Sequence, residues 1–193
     1  MDRIEIVHNL RKYVALSDEQ ISVFFKNAEM VRLKKNQHLI LQGDTESPLA
    51  LIKSGCLMTY HTDADEHDHV IQFGRDMWWT ADLQALENNT PSQYSIKAMA
   101  PSVVYLLSKS TFETILTKAS CFERYFRMIF QHSLVSHQKR IIRNISFTAE
   151  ERYKAFKELY PDLEMIVPQK YIASFLGITP EFLSKTRKRL ATT

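Results

Sequence analysis

The chain has 193 residues, of which 45% are hydrophobic, 11% aromatic and 24% charged, with a formal net charge of +3. That composition describes a folded globular chain and excludes disordered and fibrous classes. Its apolar runs, such as 103–107, fall far short of the roughly 18 to 20 residues that cross a bilayer, and Met1-Asp2-Arg3-Ile4-Glu5 does not read as a secretion signal. A cytoplasmic protein with no membrane span is expected, its thiols Cys56 and Cys121 reduced and buried. The small net charge hides an asymmetry. From Cys121 onward there are 13 Lys and Arg against 7 Asp and Glu, a net of +6, whereas the residues before it carry 12 against 15, a net of −3. A basic tail behind an acidic front gains affinity for phosphates by counterion release.

In chain order, Ser17 and Gln20 form a capping box ahead of Ile21, Phe24 and Phe25, predicting a short helix that ends near Asn27. From 30 to 108 the pattern changes to short segments rich in β-branched and aromatic residues. Strands are expected at 31–33, 38–41, 49–53, 57–61, 69–73, 94–98 and 103–107, the spacing of a sandwich or barrel. Gly43-Asp44 and Ser54-Gly55 mark turns between the early strands. His61, His67, His69, Asp63, Asp65, Glu66 and Asp68 crowd one stretch between two strands, enough imidazole and carboxylate for a metal site, although an acidic, solvated hairpin tip is the commoner explanation and no metal is expected.

A short helix at 109–118 precedes a run from 120 to 147 without Gly or Pro, long enough for about seven or eight helical turns. Phe126, Phe130, Leu134, Ile141 and Ile145, with His137 in the gap, step by threes and fours along it, while Phe122, Tyr125 and Ile129 face elsewhere. So much apolar surface predicts pairing with the same helix of a second copy; packing wholly on its own domain is the alternative. Thr148 and Glu151 form a second capping box, and the helix they start stops before Pro161.

Pro168 opens a helix through Gln169, Lys170, Ile172, Ala173 and Leu176 that Gly177 ends; Thr179 caps the next, with Pro180 in its first position and Glu181 in its first turn. Two helices across a short Gly-containing turn, sharing a core of Ile172, Leu176, Ile178 and Leu183, have the spacing of a helix-turn-helix. On the second helix Glu181, Ser184, Lys185 and Lys188 are exposed and able to meet bases or phosphates, with Lys170, Arg187 and Arg189 extending the charge. Double-stranded DNA is the expected partner.

At these residues the chain resembles the Crp/Fnr group of transcription regulators, in a short form. The likeness rests on Ile172-Ala173-Ser174-Phe175-Leu176-Gly177-Ile178-Thr179-Pro180-Glu181, on Leu183-Ser184 and its basic end, and on Gly43-Asp44 and Leu51-Ile52-Lys53-Ser54-Gly55. It implies an α+β fold of three parts: a jelly-roll-like sensor of the cyclic-nucleotide-binding type at 1–118, a connector and dimerisation helix at 119–147, and a helix-turn-helix domain at 148–193. It also implies a homodimer, contact with RNA polymerase, and base reading at Glu181 and Lys185. Pro180 stands where many members carry a base-reading Arg. The chain stops three residues after Leu190, so no C-terminal wing is expected.

Cyclic AMP-binding members carry a Gly-Glu pair opening a short helix, then an Arg followed by Ser or Thr. The matching stretch here runs through Trp79, Ala81 and Asp82 to Ser92 and Gln93, the candidate effector pocket. Ala81 replaces the Gly, Asp82 is shorter than Glu, and Ser92 or Gln93 stands where the Arg belongs. With no guanidinium opposite the phosphate, each missing charge-assisted bond costs about 1.5 to 3 kcal/mol, so the sensor is expected to have lost cyclic AMP and to answer to another ligand or none. Two cysteines cannot hold an iron-sulfur cluster, seven His leave haem open, and no cofactor is expected. No nucleophile and base pair, phosphate loop or hydrolase metal motif is present, so an enzyme is not expected. The competing reading is a ligand-binding module whose helical tail docks a protein instead of DNA.

Overall fold

The computed structural model describes residues 3–191. Helix α1 (Ile4–Arg11) opens it, followed by α2 (Asp18–Asn27), where the Ser17 hydroxyl accepts from the Gln20 N–H and the Gln20 side chain accepts from the Ser17 N–H, as the capping box requires. The sequence signals do not reveal α1, because Arg3 at its N-cap makes no side-chain cap. It is held by burial of Ile6 and Leu10.

Strands β1 (Glu29–Leu33), β2 (His38–Ile40), β3 (Leu49–Ser54), β4 (Leu57–Thr62), β5 (Asp68–Gly74) and β6 (Trp79–Thr80) precede helix α3 (Leu83–Asn88), and β7 (Ser95–Ala98) and β8 (Ser102–Leu107) follow it. All seven expected strands form. The eighth, β6, is two residues long and carries no periodicity to detect. Two antiparallel sheets result, in the orders β1-β8-β3-β6 and β2-β7-β4-β5. Leu33, Ile40, Ile52, Leu57, Ile96 and Val104 form one buried cluster of the roll. At the β3–β4 turn Gly55 has φ +107, and a Cβ there would lie 2.2 Å from Ser102 Oγ.

Helix α4 (Lys109–Lys118) leads into α5 (Cys121–Ser146), one unbroken helix of 26 residues. Its start joins α2 in an aromatic core of Phe24, Tyr105, Phe122, Tyr125 and Phe126, and Trp79 Nε1 donates to the Tyr125 hydroxyl at 2.9 Å. The tail is helical throughout: α6 (Ala149–Leu159) behind the Thr148/Glu151 capping box, α7 (Leu163–Ile166), α8 (Gln169–Leu176) and α9 (Pro180–Ala191). It packs on the β-roll, so that Met58, Val70 and Phe73 share a core with Phe156, Tyr160, Tyr171 and Leu176. The fold is α+β, as expected: a β-roll, a long helix and a helical tail.

Two consequences follow from this packing. Gly55→Ala combines a positive φ with a steric clash against a hydroxyl already bonded to Cys56 N and Ala100 O, and should lower stability by more than about 1 kcal/mol, read as a lower urea midpoint. His38, bonded to the Tyr60 hydroxyl, is held below its ordinary value of 6.5 first by burial and then by Lys97, with Asp68 and Asp44 pulling the other way. The unfolded chain then binds this proton more readily, so the contribution is complete above that value and is lost as pH falls from it through the folded one. His38→Gln should flatten the loss of urea midpoint between about pH 7 and 5.

Candidate nucleic-acid interface and effector sites

The tail motif forms through local chemistry. Gly177 takes the left-handed conformation that ends α8, with φ +65, and its N–H reaches the Ser174 carbonyl at 3.1 Å. The Thr179 hydroxyl accepts from the Phe182 N–H at 3.2 Å, and Pro180 is the first residue of α9. Ile172, Ala173, Leu176 and Leu183 are buried and Ile178 is partly buried, so the two helices share an apolar core.

That core fixes what α9 presents. At 100° per residue Glu181, Ser184, Lys185 and Lys188 lie on one face, away from buried Leu183 and Thr186; Glu181, Lys185 and Lys188 are exposed and Ser184 is half-buried. Lys170 is exposed at the start of α8, and the Gln169 amide contacts the Pro180 carbonyl at 3.5 Å. Arg187 points elsewhere: its Nε lies 3.4 Å from the Glu164 carboxylate, which also accepts from the Tyr153 hydroxyl, and so it straps α9 to α7. Arg189 pairs with Glu150. Sequence reasoning did not single out Phe182, 49% exposed beside Glu181.

Along α5 the expected dimer stripe divides. Phe126 is buried in the core below the β-roll and Phe130 packs against that core, whereas Leu134, Ile141 and Ile145 are exposed, together with Val135 and Ile142. The cause is geometric. The first turns of α5, through Phe130, lie against the α2 and β-roll core, and Leu134, Ile141 and Ile145 stand farther along the helix, beyond it. His137 is half-buried on the side away from Ile142, and burial followed by the Arg140 charge holds it below its ordinary value.

The candidate effector residues close on themselves. Asp82, 1% exposed, caps α3 by accepting from the Ala85 N–H, and its second oxygen accepts from the Ser92 hydroxyl at 3.2 Å and the Gln93 N–H at 2.8 Å. A carboxylate of the chain itself therefore takes the Ala85 N–H at the α3 N-terminus, a place where an anion would otherwise sit. Neither Ser92 nor Gln93 supplies a positive charge. Ala81 and half-buried Trp79 lie alongside, with Trp79 engaged by Tyr125.

In the hairpin between β4 and β5, Asp63 Oδ1 accepts from the N–H groups of Asp65 and His67, and its Oδ2 meets His69 Nε2 at 2.6 Å. These contacts, with the His69 bond foremost, hold the Asp63 carboxyl at about 2. Ligand atoms of Asp63, Asp65 and His67 lie within 4.8 Å of one another, yet Asp63 already serves the turn. Buried Cys56 is pushed up to about 12, mainly by burial, which makes it a poor thiolate. Cys121 is half-buried, and both thiols are free.

The motif's first helix also docks on the β-roll. Ser174 Oγ accepts from the Val70 N–H at 2.9 Å and donates to the Asp68 carbonyl at 2.8 Å, meeting the outer backbone of edge strand β5. Arg140 donates to the Val70, Ile71 and Phe175 carbonyls and lies 4.3 Å over the Phe175 ring. Lys97 sits between the rings of Tyr60 and Tyr171. The docking role of these residues has no local sequence signal, since each acts across 35 or more positions.

Residues 30–119 match the cyclic nucleotide-binding domain family. No curated protein matches the chain in sequence. Among solved structures it is similar to FixK2 from Bradyrhizobium japonicum, at 18% identity over 86% of this chain and 85% of that one, with a TM-score of 0.71. It is similar also to a regulator assigned to the Crp/Fnr family from Eubacterium rectale, at 15% identity over 92% and 84% with a TM-score of 0.68. The c-di-GMP-responsive global regulator CLP of Xanthomonas campestris gives 14% identity over 91% and 92%, with a TM-score of 0.68. The chain thus has the fold of Crp/Fnr-type regulators, and its β-roll is the part that matches the cyclic nucleotide-binding domain family.

Because Ser174 satisfies two backbone groups of β5 at once, Ser174→Ala leaves both without that partner. The substitution should cost about 1 to 3 kcal/mol. Hydrogen exchange should show it first as faster exchange at the Val70 amide, while amides of the sandwich interior, such as Ile96, keep their protection.

Proposed function

We propose that the chain is a cytoplasmic, homodimeric, sequence-specific DNA-binding transcription regulator of the Crp/Fnr type, organised as a sensor at 1–118, a connector and dimer helix at 119–147 and a DNA-binding domain at 148–193. The observation that carries this reading is the face of α9, where Glu181, Ser184, Lys185 and Lys188 project together from a helix fixed by its own buried core. In a major groove Glu181 accepts from a cytosine amine, Lys185 donates to a guanine edge, and Ser184 serves base or phosphate. Lys188, with Lys170, Gln169 and the Thr179-Pro180 helix start, faces the backbone and sets register. Arg187, held by Glu164, orients α9 and contributes little to phosphate contact.

The dimer reading is supported by Leu134, Val135, Ile141, Ile142 and Ile145, exposed on one side of α5 at a spacing of about seven residues. Twofold pairing along this seam would present two copies of α9 to successive turns of DNA. The sensor reading is supported by Asp82. With that carboxylate bonded inside the cassette and no Arg beside it, a cyclic phosphate would meet a like charge, so the regulator does not take cyclic AMP.

Selection of bound duplexes from a random pool, followed by affinity measurements on the winner, tests the whole reading. An inverted repeat with half-sites about one helical turn apart should emerge, and affinity should fall steeply with salt. Lys185→Ala should relax discrimination at one base pair by about 1 to 3 kcal/mol, Lys188→Ala should weaken all sequences alike and reduce the salt slope by about 1, and Arg187→Ala should leave that slope unchanged. Failure to select a sequence, or salt-independent association with a protein, would support the docking-module reading instead. Calorimetry with cyclic AMP should show no micromolar binding.

A further inference from the structure

We propose that the cleft enclosed by the β-roll, α5 and the tail is a binding site for an amphipathic anion, an apolar alkyl or aryl body carrying one carboxylate or phosphate. This names the effector class of the proposed regulator and rests on that reading only for its effect on DNA, since binding itself can be measured alone. The cleft has a volume of about 390 Å³, in the range of small-molecule pockets. Trp78 and Trp79 of the β-roll wall it on one side, and Phe156 of α6 and Phe175 of α8 on the other. Apolar and aromatic walls of this kind favour a flat or extended hydrocarbon body.

Its charge is one-sided. Arg140 and Arg143 of α5 and Arg152 of α6 line the cleft, and among the described residues no Asp or Glu does. Among the described residues none of the three pairs with a carboxylate. Nε of Arg140 and Nε of Arg152 are buried without a hydrogen-bond partner. Guanidinium groups gathered in a partly closed apolar space without a counter-ion are unfavourable, and an anionic head group placed among them would supply both the charge and the missing acceptors. The arginines come from the connector and tail, so the head group is held away from the cassette, where Asp82 already accepts from the Ala85 and Gln93 N–H groups. Around α5, Arg143 lies on the side opposite Leu134, Ile141 and Ile145, and Arg140 about 100° or more round from them, so both guanidinium groups face away from that seam.

The wall also gives the ligand a route to the tail. Arg140 holds the Phe175 carbonyl and ring, and Phe175 belongs to the first helix of the motif. An anion drawing on Arg140 changes the contact that fastens this helix to β5.

The chain contains two Trp, both lining the cleft, so its intrinsic fluorescence reports occupancy directly. Titrating the full-length protein with decanoate should give a saturable change in tryptophan emission, and decan-1-ol, equal in length but neutral, should bind about tenfold more weakly or worse. Arg143→Gln and Arg152→Gln should each weaken decanoate about tenfold while leaving decan-1-ol unchanged; Arg143 makes no side-chain hydrogen bond or ion pair among the described residues, so its substitution breaks no such contact in the fold. Equal affinity for acid and alcohol, unchanged affinity in Arg143→Gln, or no saturable change with decanoate would each overturn the proposal. None of these readings involves DNA, so the outcome is independent of the duplex selection.

Discussion

The outer edge of β5 has backbone groups that no strand pairs, and the tail exists in its observed place because it meets them. An exposed strand edge invites pairing with other chains, and natural proteins cover or charge it. Here one hydroxyl, Ser174, both donates and accepts at Asp68 and Val70, and one guanidinium, Arg140, takes the carbonyls of Val70 and Ile71. Phe73 then shares its face with Phe156, Tyr160 and Phe175 at ring separations of 5.2 to 6.5 Å. The tail is too short to bury much core of its own, and this shared cluster supplies the rest.

Once the tail is fixed to β5, the long helix acquires two distinct faces. One carries Arg140 and Arg143 toward the β-roll and tail; the other carries Leu134, Ile141, Ile142 and Ile145 outward. A helix of this length inside one copy cannot bury both sides, because the β-roll and the tail meet it from the same direction. The apolar side is therefore the one a second copy is suited to cover, and the cationic side is the one left to a ligand. Strand edge, cleft and seam are consequences of a single docking geometry.

What the sequence made legible was local. Ser17, Thr148, Gly177 and Thr179 announce helix ends because a cap is settled within three or four residues, and β-branched runs announce strands because their pattern repeats every second position. The same reasoning located the face of α9, whose angles follow from four positions in one helix. It could not locate α1, which is held only by distant burial, nor β6, which has no room for a pattern. Asp82 was recognisable as out of place in a nucleotide cassette, but its inward bonds to Ser92 and Gln93 span 10 and 11 positions and have no signature. Charge alone places Arg187 with the DNA-facing cations, because it does not reveal a partner 23 positions away on α7.

The asymmetry of charge between the two parts of the chain acquires a finer meaning from these placements. The cations after Cys121 do not form one field. Arg187, Arg189 and Lys154 face Glu164 and Glu150, which makes them braces within the tail. Arg140, Arg143 and Arg152 line the cleft. Lys170, Lys185 and Lys188 stand on the exposed side of the last two helices. A net of +6 read as a single basic patch would overstate the attraction for phosphate, because a cation already beside a carboxylate releases little when DNA arrives. On the proposed DNA-binding reading, affinity from one copy rests on few charges, and tight binding under physiological salt then requires the pairing of two copies, each adding its own.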